Sequence, residues 1–201
     1  NNFTIYDEAD SRSLIKAIVK SLQLDERTYK PALVHSIISK AKNNLQDPAK
    51  FLSAHSGEFD KIQGLNYESL YNIYVEYVQS CRLANVMDFD DLLYYTYVLF
   101  ANKENGVCRH YASEFKYILV DEYQDTNRLQ QKILSLLFEE MPKKRICVVG
   151  DDAQSIYAFR GAEVNNILNF CEEFKDIKGQ KAKLFKLEQN YRSTQTIVKA
   201  A

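Results

Sequence analysis

Residues 117–127 read YILVDEYQDTN. Tyr117, Ile118, Leu119 and Val120 form a short apolar run bounded by charge, the pattern of a buried strand in a parallel sheet. The run ends in Asp121 and Glu122. In an open α/β sheet, ligands sit at the carboxyl ends of the strands, so two acids there point into a candidate site. One carboxylate can hold a divalent metal while its neighbour takes a proton from water, the division of labour of nucleoside triphosphate hydrolysis. A solvated acidic turn is the plain alternative and the better reading of the pair alone, which by itself does not decide for a site.

Two further clusters do. Residues 148–162 read VVGDDAQSIYAFRGA and residues 187–194 read LEQNYRST, each expected at the end of a strand. Gly150 allows a tight turn after its strand. Gln154 is placed to reach a terminal phosphate or the attacking water. Tyr157, Phe159 and Arg160 set aromatic faces and a cation beside it. Tyr191 and Arg192 pair a ring able to stack on a purine with a cation able to stabilise phosphate charge. Singly, each residue also has a bland reading: a surface glutamine, half-buried aromatics, a structural arginine.

The whole sequence is compatible with a globular protein: 201 residues, 46% hydrophobic and 26% charged. A net charge of −1 gives no global attraction to nucleic acid or membrane, so such binding must come from local patches. Lys143, Lys144 and Arg145 form one basic patch, and Lys175, Lys178, Lys181, Lys183 and Lys186 a looser one, each read first as a solvated face rather than a phosphate track. Cys81, Cys108, Cys147 and Cys171 show no C-x-x-C spacing, and His35, His55 and His110 no zinc spacing, which fits reduced thiols in a cytoplasmic protein. No apolar run approaches the roughly 20 residues of a membrane span, and no signal peptide opens the chain. The start at Asn1 suggests a fragment.

Along the chain, residues 1–86 read as helices with short polar connections. Asp10 is expected to cap a first helix with Leu14, Ile15, Ile18, Val19 and Leu22 inward. Pro31 starts a second helix with Leu33, Val34, Ile37, Ile38 and Ala41 inward. Asp47-Pro48 opens a short third helix. A loop around Gly57 and Gly64 leads to a longer helix near 66–84, whose Tyr74 and Tyr77 at helical spacing among aliphatics are expected in the core or a subdomain interface rather than on bases. Asp88 caps a helix with Phe89, Leu92, Leu93, Thr96 and Leu99 on one side. Asp88, Asp90 and Asp91 are read as partners of its dipole rather than metal ligands. From Tyr117 the pattern becomes strand, helix, strand. Asn127 caps a helix with Leu129, Ile133, Leu134, Leu136 and Leu137, the run ICVVG forms the next strand, and a helix with Val164, Ile167, Leu168, Cys171 and Phe174 follows. Gly179 breaks that helix, and a strand is expected around 184–187. Helices alternating with buried strands imply a parallel sheet.

The three clusters, in this order and spacing, resemble motifs II, III and IV of the superfamily I helicases of the UvrD/Rep/PcrA type. The likeness extends upstream through ISKAKNNLQDP (38–48), IYVEY (73–77) and ANVMDFDDLL (84–93). It implies an α/β, helix-rich fold: part of a RecA-like P-loop motor domain with an all-helical inserted subdomain. Residues 1–86 would be that subdomain, 87–178 the later part of the first motor lobe, and 179–201 the opening of the second. The resemblance further implies an ATP-dependent, Mg²⁺-using helicase that acts on single-stranded and forked DNA, with other repair proteins as possible partners. Asp121 would hold Mg²⁺, Glu122 would activate water and Gln154 would sense the γ-phosphate. Tyr157 and Phe159 would lie along the single strand, and Arg160 would tie the DNA site to the phosphate site. Tyr191 would pack on adenine and Arg192 would contact the γ-phosphate. Phe159 departs from a position where relatives often carry tryptophan. The family's G-x-x-x-x-G-K-[ST] loop is absent from these 201 residues, so the chain alone is expected to be inactive. Two rivals stand beside this reading: a degenerate, non-hydrolysing DNA-binding or scaffold homologue, and a carboxylate-metal nuclease built on Asp121, Asp151 and Asp152. The four retained types Asp121, Glu122, Gln154 and Arg192 weigh against the first. The lack of a catalytic lysine near the acids weighs against the second.

Overall fold

The computed structural model describes residues 3–54, 61–154, 165–187, 189, 191–194 and 196–197. The chain opens with strand β1 (Thr4–Tyr6) and helix α1 (Glu8–Ser21). The cap of α1 is Asp7, three residues before the expected Asp10. Asp7 accepts from the Asp10 N–H at 2.9 Å and the Asp10 carboxylate accepts from the Asp7 N–H, a reciprocal capping box. Helix α2 (Pro31–Asn43) begins at its proline, and α3 (Pro48–Ser53) is capped by Asp47 through the Lys50 N–H. Strands β2 (Lys61–Ile62) and β3 (Leu65–Asn66) form an antiparallel hairpin. Its turn requires φ of 51° at Gln63 and 85° at Gly64, a left-handed pair suited to glycine. Asn66 caps α4 (Tyr67–Ala84), which stops at Asn85 in the left-handed conformation.

Helices α1, α2 and α4 bury one contiguous core. Ile15, Val19, Val34, Ile73 and Tyr77 in it are fully inaccessible. Each such aliphatic side chain stabilises the fold by about 1.5–3 kcal/mol. The tyrosines of α4 lie in this core, as their spacing among aliphatics allows. Tyr67 stacks on Phe51 at 4.9 Å, and the Tyr74 hydroxyl donates to the Gln46 carbonyl at 2.8 Å.

The chain then returns through β4 (Val86–Asp88), which pairs in parallel with β1. Helix α5 (Phe89–Ala101) starts on the capping box of Asp88 with Asp91. A 3₁₀ turn and α6 (Val107–Glu114) lead to β5 (Ile118–Val120). After a second 3₁₀ turn at Tyr123–Asp125 come α7 (Arg128–Glu140) and β6 (Ile146–Val148), parallel to β5. Helix α8 (Asn165–Glu173) follows. A second core joins Phe100, Cys108, Ala112, Ile118, Tyr123, Phe138 and Phe170.

The two cores meet at the end of α2. Lys42, buried, places its ammonium 2.6 Å from Asp88 Oδ2 and 2.7 Å from Asp91 Oδ1. The Tyr77 hydroxyl donates to Asp88 Oδ2 at 2.8 Å. Beside them, Asn43 donates to Asp90 at 2.9 Å and accepts from Asn127 Nδ2 at 2.7 Å. The acid cluster does serve the first turn of α5, but two of its members also neutralise a buried lysine on another helix. Burial alone would lower the Lys42 pKa, yet the two carboxylates outweigh it and hold it above the usual lysine value.

Several expectations are corrected. The first 86 residues are not wholly helical, because β1, β2 and β3 form within them. Strands β5 and β6 pair in parallel as their apolar runs predict, while β1 and β4 form a second parallel pair that the pattern did not indicate. On α5, Phe89 and Leu99 are exposed while Asp91 and Phe100 are buried, since the helix turns that flank toward α2 and α7. Helix α8 ends at Glu173, before Gly179, which instead takes φ 75° in the following turn. Residues 182–187 are not a strand. Leu184, Phe185 and Leu187 are exposed there, and a strand exists only where a partner strand takes its N–H and C=O groups.

Candidate active site

Strands β5 and β6 are locked past their ladder: Val149 N–H donates to Val120 O at 2.8 Å, and Tyr123 N–H to Val149 O at 2.9 Å. Asp121 and Glu122 emerge at the same end, both exposed. Glu122 takes φ 47°, ψ 43°, a left-handed conformation uncommon for a residue with a side chain. Asp121 supports it by accepting from the Glu122 N–H at 2.9 Å. Below the pair, Tyr123 is fully buried and meets the Phe170 ring edge-on at 5.4 Å; burial pushes its phenol upward in pKa. Asn166 on α8 donates to the Thr126 carbonyl at 3.0 Å, fastening the turn from behind.

Gln124 joins the acidic turn to the second cluster. It is 2% exposed, donates to Glu122 Oε2 at 2.7 Å and accepts from the Asp151 N–H at 3.0 Å. Asp151 in turn accepts from Ala153 N–H at 3.0 Å and from Gln154 Nε2 at 2.7 Å. Glu122 and Gln154 are thus ends of one hydrogen-bonded strip. Gly150 makes the approach possible: a Cβ there would lie 2.5 Å from Gln124 Oε1 and 2.8 Å from Ile167 Cδ1. Gly150→Ala is therefore expected to lower stability by about 1–3 kcal/mol, the cost of overpacking. An unchanged urea midpoint would count against that close contact.

Tyr157, Phe159 and Arg160 lie outside the described residues. Tyr191 is 88% exposed, so its ring packs on little, and Arg192 stands beside it in a bend. Gln124 and Lys42 are residues that sequence reasoning missed. The signal for Gln124 was a long amide, able to donate and accept at once, two residues after the acid pair. For Lys42 there was no local signal. The basic triplet partly serves the fold: Lys144 donates to the Phe138 carbonyl at the end of α7, and the Arg145 guanidinium covers the Tyr117 ring at 4.9 Å.

Mg²⁺ keeps several waters and takes one or two carboxylates together with phosphate oxygens. The exposed Asp121 carboxylate, with one oxygen engaged by a backbone N–H, fits that requirement. Among the described residues no three His, Cys, Asp or Glu side chains gather as a metal site, so the geometry lends no support to a nuclease centre on Asp121, Asp151 and Asp152. No described helix is long and apolar enough to cross a membrane.

The sequence profile of the UvrD/REP helicase N-terminal domain matches residues 1–175. An ATP-dependent DNA helicase PcrA from Bacillus subtilis is 40% identical over all of this chain and 25% of its own length. An ATP-dependent DNA helicase UvrD1 from Mycobacterium tuberculosis is 39% identical over the same shares. A probable DNA helicase II homolog from Rickettsia conorii is 42% identical over the whole chain and 29% of its own length. The chain therefore spans a quarter or slightly more of the curated relatives it matches.

Proposed function

The chain belongs to the UvrD/REP helicase family, and from that membership we propose that it is part of an ATP-driven helicase that moves on single-stranded DNA and unwinds forked duplex, in repair, recombination or replication. The observation that carries the reading is the strip from Glu122 through Gln124 and Asp151 to Gln154, at the carboxyl ends of paired parallel strands. In this reading Asp121 holds Mg²⁺, which when bound supplies charge neutralisation at the phosphates. Glu122 accepts the proton of the attacking water, and Gln154 meets the γ-phosphate. Tyr191 lies against adenine and Arg192 against the γ-phosphate. Tyr157 and Phe159 stack on bases, and Arg160 links the strand to the nucleotide. Residues 1–86 act as an inserted helical subdomain, 87–178 as part of the first RecA-like lobe and 179–201 as the start of the second, in a protein working in the cytoplasm.

These 201 residues carry no G-x-x-x-x-G-K-[ST] loop to cradle a triphosphate, so turnover is expected of the full-length protein and not of this chain alone. The test is Mg²⁺-dependent ATP hydrolysis by the full-length protein, with and without an oligothymidylate, together with strand separation on a fluorescent fork. Hydrolysis stimulated by the oligonucleotide, with unwinding, is the expected result. Hydrolysis indifferent to DNA, or none, would overturn the reading.

A further inference from the structure

Gln124 has both ends of its amide engaged while almost fully buried. Its Nε2 faces a carboxylate on Glu122, and its Oε1 faces a backbone N–H on Asp151. That assignment is self-consistent, because a flipped amide would set N–H against N–H and oxygen against oxygen. A buried amide serving only to close the 3₁₀ turn would have no need of the carboxylate on exposed Glu122. Nor would β6 need Gly150, where a Cβ would strike the glutamine oxygen.

Glu122 otherwise has few restraints. It stands exposed on a left-handed backbone, held by the Asp121 carboxylate through its N–H rather than through its side chain. The bond from Gln124 is what orients its carboxylate. At the other end, Asp151 uses both oxygens to hold the turn that carries Gln154. One buried side chain therefore sets the separation between the two exposed ones.

We infer that Gln124 is a positioning residue that keeps the Glu122 carboxylate and the Asp151–Gln154 turn in register across the two strand ends. The inference rests on the helicase reading, in which Glu122 takes a proton from water and Gln154 meets the phosphate. A displacement of about 1 Å at a reacting group can cost about 10²-fold in rate, so loss of the bridge acts on turnover more than on nucleotide binding. Because the glutamine works through Glu122, its effect depends on that carboxylate being present.

The experiment uses the full-length protein carrying Gln124→Met, which keeps the side-chain length and loses both polar ends. With saturating oligothymidylate, kcat for ATP is expected to fall about 10- to 100-fold while KM stays within about twofold. In a Glu122→Gln background the same substitution is expected to change the residual rate by less than about threefold, since residues acting as one unit are not additive. An unchanged kcat in the first background, a matching rise in KM, or an equal loss in both backgrounds would overturn the inference. Thermal unfolding checks that the variant is folded. If it is not, Gln124→Asn, one methylene too short to span both partners, is subject to the same outcomes. A wild-type protein without DNA-stimulated hydrolysis would sink the helicase reading and this one with it. Wild-type stimulation with an unaffected Gln124→Met would sink this one alone.

Discussion

Glu122→Gln in the full-length protein is expected to cut kcat for DNA-stimulated ATP hydrolysis by about 10²–10⁴-fold while leaving ATP binding nearly intact. The substitution keeps the shape and removes the ability to take a proton. It also leaves the support around it in place, because Asp121 still accepts from the backbone N–H of residue 122. The Gln124 amide would retain an acceptor in the carbonyl of the new side chain, so the strip toward Asp151 survives. Binding rests on other groups, and the expected signature is therefore a fall in kcat with little change in the affinity for a non-hydrolysable ATP analogue. Single-turnover rates together with calorimetry measure the two halves. A variant with wild-type turnover would remove Glu122 from the chemistry and return the acid pair to a solvated turn.

Lys42→Met is expected to destabilise the chain by about 3–5 kcal/mol at neutral pH, since it leaves Asp88 and Asp91 buried beside each other without their cation. For a domain of this size that corresponds to a fall in Tm of about 6–20 °C. In the wild type, burial alone would raise the Asp88 carboxyl, but Lys42 and the hydrogen bonds from Asp91 N–H and Tyr77 hold it below its usual value. Asp91 goes the other way, because burial and the Asp88 charge outweigh the lysine. Without Lys42 both carboxyls shift upward in the folded state. Groups with raised folded pKa values favour folding at low pH and oppose it as pH rises through those values. The deficit of Lys42→Met relative to wild type should thus be largest near neutrality and shrink as pH falls into the carboxylate range. In the wild type the raised Lys42 pKa works in the same sense at the alkaline end: its stabilisation holds below the ordinary lysine value and is lost only as pH climbs past it. Urea midpoints across pH measure this directly, and a deficit that grows on acidification would contradict the assignment.

Much of the architecture near the candidate site was readable from local pattern. Apolar runs at 118–120 and 146–148 announced β5 and β6, and Asn127, Asp88 and Asp47 announced the starts of their helices. The α4 tyrosines lie in the core, one of the two places that their spacing among aliphatics allows. Where reading failed, the missing information was a partner. Strand β1 has three residues and exists because β4, some eighty residues later, offers it a ladder. Residues 184–187 carry the same kind of apolar run and remain exposed.

By itself, then, the sequence determined what depends on a few neighbouring residues: helix caps, apolar periodicity, the acid pair after a strand, and the motif order that marks the family. Tertiary structure alone decided which charges and amides meet. Lys42 neutralises Asp88 from 46 positions away, and Gln124 reaches Asp151 across 27. Propensity and capping act over a turn or so of chain, whereas a buried charge or amide is satisfied by whatever the packing of α2 on α5, or of β5 on β6, brings within 3 Å.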